Sequence, residues 1–377
     1  MSDSQPKINF ASNPMYSFYG LWCDCAQNKD ALNGFDDDRL SKIANVAPQK
    51  GSKMRSIIGK IHEFNITDIT GLKSLIKDKL DTQTLEILES AFEAYKEFYA
   101  KNKKNIDNNL IVMDTEQQTY QRELAKLYKC FDISPETICS CYLNPFPKNK
   151  INDGISNNKS VSMDYSLNKT EDANNYVSNS DILKRKLSTP FHEATHFLFN
   201  NSQLKKDIEE EKYPQINSVL NQVISKFEKK GNGSASRDEI KPFAIGAINE
   251  AFAACSSALY NEKTTGKPVT NDNEWYHGWK EANDLAKQMY PLFKEYLNEG
   301  KSFDCQFFAK LSSAIKIDEL RNSNKLQPQE KTSSDKILGL RGLDAVPQTR
   351  TPDRSSQSLS KANSNIIKYI QDSKQNA

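Results

Sequence analysis

The chain has 377 residues, of which 51 are lysine or arginine and 49 are aspartate or glutamate. Its formal net charge of +2 provides no global attraction to nucleic acid, so a nucleic-acid partner is not expected. No apolar run reaches the ~18 residues that a membrane-spanning helix needs, which predicts no transmembrane segment. Seven cysteines are an odd number spread thinly over a long chain, and they favour reduced thiols over a disulfide framework.

The first ten residues contain no apolar stretch of the length found in a secretory signal. We therefore expect synthesis and folding in a cytosol. Export by a specialised secretion machine is compatible with the same sequence, because such a machine does not require a standard signal peptide.

Apolar residues recur at helical spacing through most of the chain. The pattern predicts helices over six segments: 71–104 (one helix, or two broken near Asp81), 116–131, 202–230, 243–260, 279–298 (interrupted near Pro291) and 303–317. The segment 243–260 is almost wholly apolar or small, which indicates a buried helix.

Strand signals are few. Residues 161–167 alternate between apolar and polar, which is typical of a half-buried or edge strand. Residues 110–113 are four consecutive apolar residues and are interpreted as a short buried strand. The rest of 144–181 is rich in Asn, Ser, Lys and Asp and is predicted to be loop around a single strand.

Two of the four histidines lie in one five-residue window, His192-Glu-Ala-Thr-His196. On a helix, residues four apart project from one face, so both imidazoles can bind one zinc ion at ~2.0–2.1 Å. Glu193 is turned by about 100° around the axis, where it can reach a metal-bound water without becoming a ligand. Zinc lowers the pKa of that water toward ~7, and Glu193 can accept its proton as general base. The alternative is a surface helix that carries these residues by accident.

The start of this helix has two interpretations. Thr189 and Pro190 fit its N-cap and its first helical residue. The alternative is a longer helix that begins near residue 181 and is kinked at Pro190.

The segment 191–199 resembles the active-site helix of the zincin metallopeptidases, whose motif is HExxH. The metzincin branch has a glycine and a third histidine after the motif, whereas this chain has Phe199 and Ser202 at those positions. The gluzincin branch takes a glutamate from a downstream helix, and the segment 248–255, Ile-Asn-Glu-Ala-Phe-Ala-Ala-Cys, resembles that element. The resemblance implies that Glu250 is the third zinc ligand.

The residues around Glu250 support the same role on physical grounds. On a helix, Glu250 shares a stripe with small residues, Gly246, Ala253, Ala254 and Ser257, which let two helices approach closely. A charge in so apolar a segment is costly to bury unless it is paired or coordinating. The alternative is that Glu250 faces solvent or pairs with a lysine. The acidic run 209–211 lies closer to His196 in sequence and is interpreted as solvated.

A peptidase also needs a donor for the developing oxyanion. Tyr276 and His277 lie in an aromatic cluster downstream of Glu250, and either is a candidate; the alternative is a structural pair packed between Trp275 and Trp279. Tyr165 is a second candidate, because zincins often place a substrate-aligning strand upstream of the ligand helix.

Two Cys-x-Cys pairs, Cys23 with Cys25 and Cys139 with Cys141, offer four thiolates for a structural zinc site. Structural zinc ligands usually lie two to four residues apart, so buried thiols are the preferred interpretation. His62 has no partner in sequence and is interpreted as structural.

These patterns predict an α+β fold that is predominantly α-helical. We expect a helical N-terminal region over 1–150, a zincin-like domain with a small sheet over 151–320 and a flexible, largely disordered tail over 321–377. The expected function is a zinc-dependent metallopeptidase, more an endopeptidase than an exopeptidase, that acts on a peptide or protein substrate. One version is an exported bacterial effector whose tail contacts delivery machinery or a host target. The competing hypotheses are a catalytically inactive zincin-like binding protein and a helical interaction protein whose motif is accidental.

Overall fold

The computed structural model describes ten ranges of the chain: 6–25, 29–32, 35–48, 57–147, 155–156, 160–169, 176–178, 188–230, 236–269 and 280–325. Within them, most residues are helical, and the strands form one small sheet. The prediction of an α+β fold that is predominantly α-helical is confirmed at this level.

The α-helices are α1 (Pro14–Cys25), α2 (Asp38–Ser41), α3 (Ile57–Glu63), α4 (Ile69–Ile76), α5 (Thr82–Lys101), α6 (Lys103–Glu116), α7 (Gln121–Cys130), α8 (Ser188–Asn201), α9 (Gln203–Glu209), α10 (Pro214–Lys230), α11 (Arg237–Thr265), α12 (Lys280–Glu299) and α13 (Cys305–Lys325). Short 3₁₀ helices cover Lys29–Leu32, Lys42–Val46 and Gln117–Thr119. The strands are β1 (Ile8–Ala11), β2 (Cys139–Pro147), β3 (Ile155–Ser156), β4 (Ser160–Lys169) and β5 (Tyr176–Ser178). Among the described helices, none combines the length and the apolar character that crossing a membrane requires.

Three parallel strands form the centre of the sheet, in the order β1, β2 and β4. Phe10 of β1 lies opposite Cys141 of β2, which in turn lies opposite Val161 of β4. The short strands β3 and β5 pair antiparallel with opposite ends of β4. The sheet therefore joins strands from both sides of residue 150, the boundary between the two predicted regions.

Helices cover both faces of the sheet. On one face, the Tyr16 ring of α1 stacks on Tyr142 at 4.1 Å between centroids, and the Ser17 hydroxyl donates to the Asn144 side chain at 2.8 Å. On the other face, α8 packs against β2, β3 and β4. Because β2 is buried on both sides, its sequence lacks the alternation that marks a half-buried strand.

The predicted helices are present with shifted ends, except that the single helix predicted over 202–230 is divided into α9 and α10, with Glu211 at positive φ between them. The segment 71–104 contains two helices, α4 and α5, and the Asp81 carboxylate that caps α5 accepts the Thr84 amide hydrogen at 2.8 Å. The buried helix predicted over 243–260 forms the middle of α11. The interruption expected near Pro291 does not occur, because α12 continues through that residue. The residues that follow the proline hold the helix in place, since the buried Phe293 ring packs against Phe252 and Phe303.

Two predictions about strands were wrong. Residues 110–113 lie in α6, with Ile111 exposed and Met113 buried. A run of four apolar residues does not distinguish a strand from part of a helix, and here the flanking helical residues decide. The segment 144–181 is not loop around one strand, since it also contains the end of β2 and the short strands β3 and β5. Pro145 and Pro147 make β2 hard to predict from the sequence, because proline is uncommon inside a strand.

Buried apolar residues from the two predicted regions belong to one core. Tyr95 and Phe131 from the first region belong to the same contiguous core as Phe252 from the second. At the C-terminal end, α13 extends to Lys325, beyond the residue at which the tail is predicted to begin. Residues 326–377 lie outside the described ranges, so the flexible tail stays a prediction.

Ion pairs fix the N-terminal end of α11 to the turn that follows α9. Ser236 caps α11 and exchanges hydrogen bonds with Glu239 in a capping box. The Glu211 carboxylate accepts two hydrogen bonds from the Arg237 guanidinium, at 2.7 and 2.8 Å, and lies 2.9 Å from the Lys241 ammonium. These two cations lower the pKa of Glu211 to about 2. The same helix carries Glu250, so this anchor helps to position the candidate site.

Glu211→Gln is expected to lower the free energy of unfolding by about 1 kcal/mol at pH 7, since solvent screens this partly exposed cluster. A lowered pKa means that the stabilisation is complete above the unfolded pKa of ~4.3 and is lost as the pH falls through about 2. Urea unfolding of both proteins at several pH values measures this difference. Equal differences at pH 7 and pH 2 would contradict the account, and Glu210→Gln on the exposed surface serves as the control.

Candidate metal centre

Helix α8 places His192 and His196 side by side. Only 6% of His192 and 4% of His196 is exposed, and their Nε2 atoms lie 3.1 Å apart. Phe191 and Phe199 on the same helix are fully buried, and they pack against Tyr120 and Phe252, respectively. The window predicted to bind a metal thus lies on a helix and faces the interior.

The described part of this helix begins at Ser188, and Pro190 lies in its first turn. Proline is tolerated there because the first amide hydrogens of a helix have no partner within the helix. Residues 179–187 lie outside the described ranges, so the longer-helix alternative stays a prediction.

Helix α11 brings Glu250 to both histidines. The Glu250 Oε1 atom lies 3.5 Å from His196 Nε2, and Oε2 lies 3.6 Å from His192 Nε2. The Oε2 atom is buried and has no hydrogen-bond partner within the described part of the chain. A buried carboxylate oxygen without a hydrogen bond is costly unless a cation is bound to it. This position argues against an accidental motif, for which Glu250 would lie far from the histidines.

The other ring nitrogen of each histidine contacts α11. His196 Nδ1 lies 3.0 Å from the Asn249 side-chain oxygen, and His192 Nδ1 lies 3.1 Å from the Ser257 hydroxyl. A carbonyl oxygen only accepts hydrogen bonds, so His196 Nδ1 carries the hydrogen and donates it. In the neutral form that metal binding requires, the ring then presents the lone pair of Nε2 toward Glu250. Partners of this kind orient the imidazoles of metal sites in general.

A pair of hydroxyl groups holds the two helices together beside the histidines. The Thr195 hydroxyl donates to Ser256 Oγ at 2.8 Å, and the Ser256 hydroxyl donates to the backbone oxygen of Ala253 at 2.7 Å. Ala253 is fully buried, and its small side chain allows α8 to approach α11 closely. Of the small-residue stripe predicted around Glu250, Ser257 contacts α8 through His192.

The separations between the three candidate ligands fit a zinc ion. Tetrahedral ligands at ~2.0–2.1 Å from zinc lie about 3.3 Å from one another. Here the two Nε2 atoms lie 3.1 Å apart, His196 Nε2 lies 3.5 Å from Glu250 Oε1, and His192 Nε2 lies 3.6 Å from Glu250 Oε2. Two imidazoles and one carboxylate form a donor set that zinc enzymes use, and the fourth position is left for water or substrate.

Glu193 lies next to this triangle and points toward the sheet. It is 5% exposed, and its carboxylate and the two imidazoles offer ligand atoms that all lie within 4.8 Å of one another. On β2, burial raises the pKa of the Cys139 and Cys141 thiols, and the charge of Glu193 raises it further. Both thiols are therefore protonated at neutral pH, which disfavours them as metal ligands.

In the absence of metal, burial and the neighbouring charges have opposite effects on the pKa values of His196 and Glu250. Burial lowers the pKa of His196, but the nearby Glu250 carboxylate outweighs burial and raises this pKa to about 9. Burial tends to raise the pKa of Glu250, whereas His196 and His192 lower it well below its usual range. Without metal, the buried His196 and the partly exposed Glu250 thus form an ion pair.

The structure brings none of the remaining predicted residues that it describes to the candidate site. Tyr276 and His277, with the flanking tryptophans, lie outside the described residues, and so does the side chain of Tyr165. His62 Nδ1 lies 2.7 Å from the Tyr142 hydroxyl, which fits its structural interpretation. In the acidic run, Glu209 pairs with Lys205 across 3.5 Å, while Glu210 is exposed and Glu211 forms the anchor described above.

All four residues of the Cys-x-Cys pairs are buried, and none of them forms a disulfide within the described ranges. No cluster of three or more potential metal ligands in the described ranges includes a cysteine. The structure therefore gives no support to a second zinc site built from these pairs.

Sequence reasoning missed the partners of the histidine Nδ1 atoms as functional residues. Asn249 and Ser257 lie at −1 and +7 from Glu250, and Ser256 lies at +6, on a helix that is otherwise largely apolar. Polar residues that recur on one face of a buried helix require partners on the neighbouring helix. That periodicity is the signal from which they could have been predicted.

No protein-family model matches this chain, and comparisons with curated proteins and with solved structures find no significant similarity.

Asn249→Ala and Ser257→Ala are each expected to weaken zinc binding by about 10- to 100-fold, because each frees one imidazole to rotate. Competition with a fluorescent zinc chelator measures the affinity. Asn261→Ala, on the same helix but away from the histidines, is the control and should bind zinc like the wild type. Wild-type affinity in both site variants would contradict the assigned positioning role.

Zinc binding at pH 7 is expected to release about one proton from His196, because its pKa of about 9 keeps it protonated in the metal-free protein. As the pH rises toward that pKa, the apparent zinc affinity should increase by about tenfold per pH unit. Above the pKa it should level off. Calorimetry in buffers of different ionisation enthalpy counts the released protons. Zinc binding without proton release at pH 7 would contradict this account.

Proposed function

We propose that the chain is a zinc-dependent metallopeptidase of zincin type, similar to the gluzincins in its ligand set. The observation that carries the proposal is the convergence of two imidazole nitrogens and a carboxylate on one point, with separations of 3.1 to 3.6 Å. His192, His196 and Glu250 would hold the zinc ion. The HExxH spacing and the buried carboxylate of Glu193 beside the ligands support hydrolysis over a purely structural site.

Each residue of the site has a separate task in this proposal. Bound zinc polarises a carbonyl group and lowers the pKa of water toward ~7. Glu193 is adjacent to the ligands on the same helix, where its carboxylate can accept a proton from water and pass it to the leaving amine. Asn249 and Ser257 orient the imidazoles, and the apolar residues of α8 limit access of bulk water.

A peptide substrate finds a place along β4, which packs against α8. On the outer edge of β4, β3 pairs at residues 161–162 and β5 pairs at residues 167–169. Between them, residues 163–166 have no partner strand on that edge among the described residues. An extended peptide can bind such an edge through backbone hydrogen bonds. This arrangement favours an endopeptidase, because an edge strand accepts the middle of a chain.

The oxyanion donor stays a proposal carried by the sequence alone. Tyr276 and His277 are the candidates, and both lie outside the described residues. Loss of hydrolysis with retained zinc in Tyr276→Phe or His277→Ala would assign the role.

The decisive experiment measures zinc content and peptide hydrolysis in wild type, Glu193→Gln and His196→Ala, purified without chelators. We expect near-stoichiometric zinc in the wild type, loss of zinc in His196→Ala, and retained zinc with at least 100-fold slower hydrolysis in Glu193→Gln. His62→Ala is the matched control, because His62 is a histidine outside the site. Equal hydrolysis by Glu193→Gln and wild type would contradict the mechanism. Zinc binding without hydrolysis of any peptide would favour the inactive binding protein.

A further inference from the structure

A cavity of about 290 Å³ lies between α7, the first turn of α8 and the last turns of α11. Its apolar wall consists of the buried side chains of Tyr120, Phe191, Leu259 and Tyr260. The Tyr120 ring packs against Phe191 and Tyr260, with ring centroids 5.3 and 5.5 Å apart. This volume is close to the lower end of the range for ligand pockets, so the cavity fits a small molecule. The mechanism described above does not use it.

A pair of opposite charges lies in the wall of this cavity. Glu123 of α7 is only 4% exposed, and its Oε1 atom accepts a hydrogen bond from the ammonium group of Lys263 on α11. The Oε2 atom of Glu123 accepts no hydrogen bond from the residues that the structure describes. The side chain of Lys263 is about half exposed, and within the same residues its ammonium group donates only to Glu123. A carboxylate can accept about four hydrogen bonds, so this buried group has capacity for a further donor.

The two charges specify the polar end of a ligand. Glu123 and Lys263 are in direct contact, so the two ligand groups that bind them must also be neighbours. An α-amino acid meets this requirement, because its ammonium and its carboxylate are attached to the same carbon atom. The ammonium would donate to Oε2 of Glu123, and the carboxylate would accept from Lys263. Hydrogen bonds between charged groups are strong, and apolar surroundings strengthen them further.

The apolar wall specifies the rest of the ligand. The rings of Tyr120, Phe191 and Tyr260 offer contacts that suit an apolar or aromatic side chain. Apart from Glu123 and Lys263, no charged residue in the described part of the chain lines the cavity, so a charged side chain on the ligand would have no partner there.

We propose that this cavity binds a free α-amino acid with an apolar or aromatic side chain, such as leucine or phenylalanine. None of the candidate zinc ligands lines the cavity, so the inference does not depend on the proposed peptidase function. The bound amino acid would connect α7 to the C-terminal end of α11 through its two charged groups.

Calorimetric titration of the full chain with L-phenylalanine and L-leucine tests the proposal. We expect binding of both with a Kd of about 1 mM or lower. Two analogues keep the phenyl ring but lack one charge: phenethylamine has no carboxylate, and 3-phenylpropionate has no ammonium. Each should bind at least tenfold more weakly than phenylalanine, because each loses a hydrogen bond between charged groups. L-Aspartate should also bind at least tenfold more weakly, because burying its side-chain charge against the apolar wall is costly.

Two variants assign the binding to the cavity. Glu123→Gln and Lys263→Met each remove a charge while keeping the approximate size of the side chain. Each should raise the Kd for phenylalanine at least tenfold. Glu295→Gln and Lys310→Met are the matched controls, because these residues form an ion pair at the surface, 2.7 Å apart and outside the cavity. Both controls should bind phenylalanine like the wild type.

Three results would overturn the proposal. The first is a wild type that binds neither phenylalanine nor leucine. The second is equal binding of phenylalanine and either single-charge analogue. The third is an unchanged Kd in both cavity variants, which would place the amino acid elsewhere on the chain. If either single variant fails to fold, the double variant Glu123→Gln with Lys263→Met decides, because it leaves no buried charge without its partner.

Discussion

The close approach of α8 and α11 determines the rest of the site. Helix α8 is buried along most of its length and α11 is buried chiefly over 251–260, so each polar atom at their interface needs a partner on the other helix. Ala253 lets the backbones come together, and the hydroxyls of Thr195 and Ser256 meet between them. At this separation, Glu250 reaches both histidines of α8 with its short side chain.

Electrostatics explains why this interface suits a cation. Two carboxylates, those of Glu193 and Glu250, lie in this region beside the two imidazoles. Each imidazole can carry at most one positive charge. Burying carboxylates is costly unless a cation compensates them, and the Oε2 atom of Glu250 has no hydrogen-bond partner among the described residues. A proton on His196 compensates part of the charge, as its raised pKa indicates. A divalent metal ion compensates more, and it accepts lone pairs from all three ligands at once.

The sequence predicts those parts of the structure in which residues of one type recur at a regular spacing. The four-residue spacing of His192 and His196 predicted their shared face, and the apolar segment around Glu250 predicted a buried helix. Strand β2 was missed because helices cover both of its faces and prolines interrupt its sequence, so neither alternation nor propensity marks it. The pairing of His196 with Asn249 depends on the rotation of one helix against another, which no single segment encodes. Sequence spacing thus predicts which residues share a helix face, whereas packing decides which faces meet.

The central claim is that two histidines and one glutamate, and none of the seven cysteines, bind the metal. X-ray absorption at the zinc edge tests it most directly, because it measures the distances and types of the ligand atoms in the intact protein. The account predicts nitrogen and oxygen ligands at ~2.0–2.1 Å, with the outer-shell scattering of two imidazoles and with fewer oxygen ligands in Glu250→Ala. Sulfur at ~2.3 Å, or a spectrum that Glu250→Ala leaves unchanged, would contradict it.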